Sequence, residues 1–324
     1  MADVVVVGSY VQDHIWRLDR FPQPGETRRA AAFHTGPGGK GFNQAVACLR
    51  QGVSAVFIGA LGDDALGAVA QRFAADEPLP CCWQIHAERS TATSGIFVDR
   101  DGAPMNVVQL DANEALTPDF VRAQEDLFAG AKLLLLQLEN DIAATRAALQ
   151  AATRHGLLRL MNPAPVRAEF DADLLALCDL ITPNETEFAQ LLAQIAGVRV
   201  EAGSLAACDD AHLHALARRL GGVTVVLTLG ARGCFVSHAD GECRGDAVAC
   251  YRLAPERVEA IDATGAGDAF SGALAAAIVR GEGRPLRTAV QHANRVAALS
   301  TERVGTAPAM PRYEDVERRF GSPG

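Results

Sequence analysis

DATGAGDAFSGALAAAIV, residues 262 to 279, runs from a polar, glycine-broken turn straight into an alanine-rich apolar segment. The apolar part reads as a buried helix through Ala269–Val279, and a helix apolar on every side must be covered on every side. Gly265, Ala266 and Gly267 put small-residue amides at its start, where the partial positive charge of a helix N-terminus favours an anion. Asp268 then has two readings: an N-cap, a common role for Asp at a helix start, or a carboxylate beside an anion site that takes the proton of an attacking hydroxyl.

The rest of the chain supplies the cover. Short β-branched or leucine runs at Val4–Val7, Ala55–Ile58, Leu133–Leu136, Leu158–Met161, Leu180–Thr182 and Val223–Leu227 alternate with helical segments such as Ile142–His155 and Ala211–Leu220. Such alternation predicts an α/β fold with a largely parallel central sheet and helices on both faces. Thr27–Thr35 and Ser94–Leu110 do not fit that plan; the second reads as a hairpin around a DRDG turn at Asp99–Gly102, and together they predict a small antiparallel flap. Ala196–Asp210 lacks periodicity and reads as a loop. The expectation is one domain over residues 1–324, with the flap drawn from about 10–36 and 92–112.

Composition narrows the partners. Thirty Lys and Arg against 39 Asp and Glu give a net charge of −9, so no basic field gathers nucleic acid or an anionic membrane. The apolar run at Val4–Val7 is too short for a signal segment, and none approaches a membrane span. The eight cysteines show no C-x-x-C pair or zinc spacing, as expected of reduced thiols in a cytoplasmic protein.

A second glycine motif, HTGPGGKGFNQAVACLRQG, occupies residues 34 to 52. Gly36 to Gly41 satisfies G-x-G-x-x-G by its letters, and Asp63 follows about twenty residues later. The dinucleotide reading fails on context, because the first strand ends at Gly8, well before these glycines. It is not a phosphate-binding P-loop either, since Lys40 is followed by Gly41. What it offers is a helix start with unblocked amides near Lys40 and Asn43, both able to donate to the oxygens of a polyol. The plainer reading is a capping loop with a solvated Lys40.

These motifs resemble the ribokinase/PfkB family of carbohydrate kinases. GPGGKGFNQA at 36–45 is similar to its first signature and DATGAGDAFSGAL at 262–274 to its second. Between and before them, in order, stand Gly8-Ser9 and Asp13, FPQPGET at Phe21–Thr27, LLQLE at Leu135–Glu139, NPAP at Asn162–Pro165, TPNETE at Thr182–Glu187 and TLGARG at Thr228–Gly233. The LQLE, NPAP and TPNETE runs are closer to ribokinases than to the fructokinase or adenosine kinase branches.

The resemblance implies transfer of the ATP γ-phosphoryl group to a primary hydroxyl, O5 of D-ribose. It makes Asp268 the base and Gly265, Ala266 and Gly267 the anion hole. Asp13, Gly39, Lys40, Asn43 and Glu139 become sugar contacts, and Asn184, Thr228, Gly230, Gly233, Gly267 and Asn294 ATP contacts. Glu187 is placed to organise Mg2+ through water, with Asn184 equally plausible as a helix cap, and Asp262, Thr264, Ser300, Arg303 and Gly305 to surround an activating K+. The flap matches the family's lid, which closes over the sugar and forms a homodimer interface. Three positions depart from the pattern: Val11 where ribokinases often have Asn, Asp111 in Asp111-Ala112-Asn113 where they have Gly, and Ala263 in the second signature. The first two bear on the acceptor, so another sugar or a nucleoside stays open. A sugar-binding regulator without catalysis is the reading from a different class, and the intact GAGD turn argues against it.

Overall fold

The computed structural model describes residues 2–100, 104–239, 241–281 and 283–321, so the DRDG turn lies partly outside the described residues. In chain order the strands are β1 (Val4–Val7), β2 (Val11–Arg17), β3 (Ala32–Gly38), β4 (Ala55–Gly62), β5 (Cys81–His86), β6 (Thr93–Val98) and β7 (Pro104–Gln109). There follow β8 (Leu133–Leu136), β9 (Leu158–Met161), β10 (Leu180–Ile181), β11 (Thr224–Thr228), β12 (Cys234–Ser237) and β13 (Cys250–Leu253). Nine of them form one sheet in the order β13-β12-β11-β10-β9-β8-β1-β4-β5. From β11 to β5 every neighbouring pair is parallel, and β12 and β13 add an antiparallel edge.

The four valines of β1 and the four leucines of β8 are all at most 1% exposed, as a strand buried on both faces requires. Val4, Val6, Leu133 and Leu135 face one core, which holds the helices Lys40–Arg50, Ala266–Arg280 and Leu286–Ser300. Val5, Val7, Leu134 and Leu136 face the other, with Ile142–Arg154, Glu185–Ala196 and Asp210–Arg218. After β1 the chain builds β4 and β5 on one side, then crosses to β8 and continues outward on the other. The order therefore reverses between β1 and β8, and a ligand crevice opens outside the carboxyl ends of strands at such a point.

The flap is a second sheet, ordered β3-β2-β6-β7. Its β2–β3 and β6–β7 pairs are antiparallel, and a parallel β2–β6 pair joins the two halves. Its first segment is set further along the chain than Thr27–Thr35 suggested, because the paired strand is Ala32–Gly38. One face carries Asp13, Ile15, Ser94 and Ile96, all buried; the other carries His14, Trp16, Phe33 and Phe97 in mutual ring contact. Trp16 thus lies on the face away from Asp13. The stretch read as a loop contains one 3-10 turn, Ala202–Ala207, anchored by buried Leu205. All eight cysteines are free.

Candidate active site

The two glycine motifs meet. Helices Lys40–Arg50 and Ala266–Arg280 cross so closely that a Cβ on Gly272 would fall 2.5 Å from the Gln44 carbonyl oxygen and 2.6 Å from the Ala47 Cβ. That crossing brings Asn43 and Gln44 onto Asp268. Asn43 Nδ2 donates to Asp268 Oδ2 at 2.8 Å, and Gln44 Nε2 donates to Oδ1 at 2.9 Å. Asp268 is 7% exposed. It is not the N-cap: Gly265 holds that position at φ 77°, a left-handed conformation that suits glycine, and Asp268 lies in the first turn with its carboxylate turned toward the other helix.

Among the described residues the amides of Gly267 and Asp268 have no protein acceptor, as first-turn donors of a helix lack an intrahelical one; the Ala266 amide closes a turn on the Ala263 carbonyl at 3.2 Å. The start of the Lys40 helix differs from expectation, because its amides are not unblocked. Lys40 N donates to Glu139 Oε2 at 3.1 Å, Gly41 N to Ser9 Oγ at 3.4 Å and Phe42 N to the Ser9 carbonyl at 2.9 Å. Glu139 is itself the anion seated at that helix start, and Ser9 Oγ donates to it at 2.5 Å. Gly39, at φ 90°, permits the approach, since a Cβ there would lie 2.6 Å from the Val11 nitrogen.

Asp13 is 6% exposed, with Ser94 Oγ donating to Oδ1 at 2.6 Å and Thr306 Oγ1 to Oδ2 at 2.9 Å. Burial pushes its pKa up to about 6, against those two hydrogen bonds and with help from the Glu139 and Asp268 charges. The Lys40 side chain is part-buried rather than fully solvated. Burial works against its charge, yet Asp268, Glu139, Glu187 and Asp13 together raise its pKa. Four carboxylates thus act electrostatically on one cation. Asn43 Oδ1 is buried and has no partner among the described residues. Asn43 Nδ2 gives one of its two protons to Asp268, so Asn43 keeps the donor its sequence context suggested and adds an acceptor in Oδ1.

Asn184 caps helix Glu185–Ala196 in a reciprocal box: its Oδ1 accepts from Glu187 N at 2.9 Å, and Glu187 Oε2 accepts from Asn184 N at 2.8 Å. Burial raises the Glu187 pKa, and both Lys40 and Asp268 act on its charge. Asn184 pairs with Thr228 at the end of β11. Gly230, at φ 55°, is exposed in the next turn. Gly233 has a packing reason for its type, since a Cβ would fall 2.1 Å from the Leu253 carbonyl oxygen. Asn294 Nδ2 donates to the Ala254 carbonyl at 2.8 Å.

Asp262 gathers part of the predicted cation loop, accepting from Thr264 N at 3.0 Å and Gly305 N at 3.2 Å. Two members turn elsewhere: Ser300 Oγ bonds back to the Ala297 carbonyl at 2.8 Å, and Arg303 pairs with Asp315 at 3.3 Å. Of the departures, Asp111 is turned to the Ser90 amide at 2.9 Å and to Arg89 at 3.3 Å, while Val11 is buried opposite Gly38 in the flap. Sequence reasoning missed Gln44, Ser94 and Thr306. Gln44 had a signal, as the residue after Asn43 inside the motif; Ser94 and Thr306 reach Asp13 from 81 and 293 positions away and had none. A separate cavity of about 480 Å3 lies at the opposite end of the sheet, by Lys132, Leu158, Leu180 and Arg280, and holds none of these residues.

The model of the pfkB family of carbohydrate kinases matches residues 1–312. The chain is 33% identical to a ribokinase of Schizosaccharomyces pombe, covering 99% of this chain and 98% of the relative. It is 32% identical to a deoxyribokinase of Salmonella typhi, covering 96% of each. The structure of a ribokinase from Giardia lamblia superposes with a TM-score of 0.86 at 27% identity, covering 98% of both chains.

Proposed function

Because the chain belongs to the pfkB family of carbohydrate kinases, we propose that it transfers the γ-phosphoryl group of ATP to a primary sugar hydroxyl, with D-ribose as acceptor and ribose 5-phosphate as product. The observation that carries the reading is Asp268, held by Asn43 and Gln44 beside first-turn amides that have no acceptor among the described residues. Each carboxylate oxygen accepts one amide and keeps a lone pair for a hydroxyl. The sugar O5 forms the new bond to the γ-phosphorus, the bond to the bridging oxygen breaks, ADP leaves, and the hydroxyl proton passes to Asp268. The amides of Gly267 and Asp268, at the end of the turn Gly265-Ala266-Gly267, hold the charge that develops on the phosphoryl oxygens.

Asp13, Lys40, Asn43 and Glu139 hold the sugar. Vicinal hydroxyls donate to the carboxylates, and flap closure excludes water that would otherwise hydrolyse ATP. On the nucleotide side, Asn184, Thr228 and the Gly230 turn follow the ends of adjacent strands, and Gly233 and Asn294 shape the wall behind them.

Glu187 fits Mg2+ in the manner of an ion that keeps its waters, since it brings one carboxylate whose oxygens already accept from Asn184. Mg2+, when bound, neutralises the phosphates of ATP. Asp262 is the carboxylate of the loop that would hold a singly charged cation such as K+, and its oxygens already accept the Thr264 and Gly305 amides; Ser300 and Arg303 shape that loop rather than face it. Eight free cysteines suit a reducing cytoplasm. The exposed outer face of the flap, with Phe33 50%, Met105 41% and Val107 66% exposed, suits a homodimer.

The near-equal identity to a deoxyribokinase makes 2-deoxyribose the second acceptor to examine. The test is ADP release with Mg2+ and K+ present, comparing ribose, 2-deoxyribose, fructose and adenosine. The proposal expects ribose to give the highest kcat/KM; a strong preference for adenosine or fructose contradicts the assigned acceptor.

A further inference from the structure

Thr306 stands at the start of the short turn Ala307–Ala309, where a threonine side chain commonly caps, yet it makes no cap. The residue is 5% exposed, and its single hydroxyl proton lies between two acceptors, Asp13 Oδ2 at 2.9 Å and the Pro37 carbonyl at 3.0 Å. It therefore ties the carboxylate of β2 to the end of β3. Gly38 leaves the space for this, since a Cβ there would fall 2.0 Å from Asp13 Oδ2.

The chain just before Thr306 is tied to the turn that precedes Asp268. Gly305 N donates to Asp262 Oδ2 at 3.2 Å, and Ile261 N and Asp262 N donate to the Thr301 carbonyl at 2.7 and 3.0 Å. Thr306 Cγ2 also packs 3.5 Å from where a Gly265 Cβ would sit. One loop, 301–306, thus touches both the turn that leads into the anion-hole helix and the carboxylate that faces the sugar.

We propose that Thr306 is a positioning residue for Asp13, and that through it the Asp262 turn governs how tightly the sugar is held. The inference rests on the kinase reading above. A carboxylate whose two oxygens are fixed, by Ser94 on one and Thr306 on the other, presents its remaining lone pairs in one direction; releasing Oδ2 lets it rotate away from the sugar hydroxyls.

The test is calorimetric binding of D-ribose to the full chain without nucleotide, or of 2-deoxyribose if the wild type prefers it. Thr306→Val keeps the shape and removes the hydroxyl, a hydrogen bond to a charged group, so binding is expected to weaken about tenfold or more. Thr306→Ser restores the hydroxyl and is expected to bind within about threefold of wild type by the same reasoning. Asp262→Ala weakens binding on its own, and the double variant Asp262→Ala/Thr306→Val is expected to be no weaker than Thr306→Val alone. In turnover, the Thr306→Val loss appears in the sugar KM and not in kcat at saturating sugar. Normal binding by Thr306→Val, a Thr306→Ser variant as weak as Thr306→Val, or full additivity with Asp262→Ala overturns the proposal. A wild type that binds neither sugar overturns the assigned acceptor and this inference with it.

Discussion

At the residue scale the site is a balance of negative charge around one ammonium. Asp13 shows the cost of that balance, with burial raising its pKa to about 6. Its neighbours across the site are Glu139, Asp268 and Lys40, with Ser94 and Thr306 donating to it. A folded pKa above the unfolded one means that this group's contribution to stability is complete below about pH 4 and lost as the pH rises through about 6. Asp13→Asn is therefore expected to unfold at a higher temperature than wild type at pH 8, by at most about 3 kcal/mol, while losing sugar binding. Thermal melts at pH 5 and pH 8 check the sign: the advantage shrinks at the lower pH, and an advantage that grows there contradicts the account. For the same reason the sugar KM is expected to rise below about pH 6, where Asp13 takes a proton and loses acceptor capacity. Asp268→Asn removes the base and keeps one of the two oxygens that accept from Asn43 and Gln44, so kcat is expected to fall by about 10² to 10⁴ with sugar affinity far less affected, read from initial rates and calorimetry.

At the element scale the decisive contact is the crossing of helices Lys40–Arg50 and Ala266–Arg280. Replacing glycine by alanine inside a helix gains about 1 kcal/mol from propensity alone. At Gly272 the new methyl group meets the Gln44 carbonyl at 2.5 Å, which is backbone and cannot rotate away. Overpacking of this kind costs about 1–3 kcal/mol, so the clash is expected to win. Gly272→Ala should lower both the melting temperature and kcat, because moving Gln44 loosens Asp268; a more stable and fully active variant contradicts the close crossing. This scale also shows what the chain betrays by itself. β1 and β8 are unbroken runs of valine and leucine, and the two glycine motifs announce helix starts. β5, β12 and β13 were missed because CCWQIH, CFVS and CYRL carry no clean alternation, and their pairing with β4, β11 and β12 selects the strand. The carboxylates were legible from their motifs. Their partners were not, because Ser94 is placed by flap register and Thr306 by a loop 293 positions from Asp13.

At the scale of the whole molecule, the reversal of strand order between β1 and β8 places Ser9 and Glu139 side by side, and the flap brings Asp13 over them from a second sheet. The flap's inner face carries Asp13, Ile15, Ser94 and Ile96, and its outer face carries the aromatic row Phe33, Trp16 and Phe97. Phe33→Glu combined with Val107→Glu is expected to shift the protein from dimer to monomer in sedimentation and to raise the sugar KM severalfold; a wild type already monomeric at micromolar concentration contradicts the dimer. The central claim, that Asp268 directs phosphoryl transfer to a primary sugar hydroxyl, is tested most directly by phosphorus NMR of a reaction with ATP, Mg2+, K+ and D-ribose, run with wild type and Asp268→Asn side by side. The account predicts a phosphomonoester at O5 that accumulates with ADP in the wild type and is nearly abolished in the variant. Inorganic phosphate as the main product, a phosphate on the anomeric oxygen, or equal rates in the two proteins contradicts it.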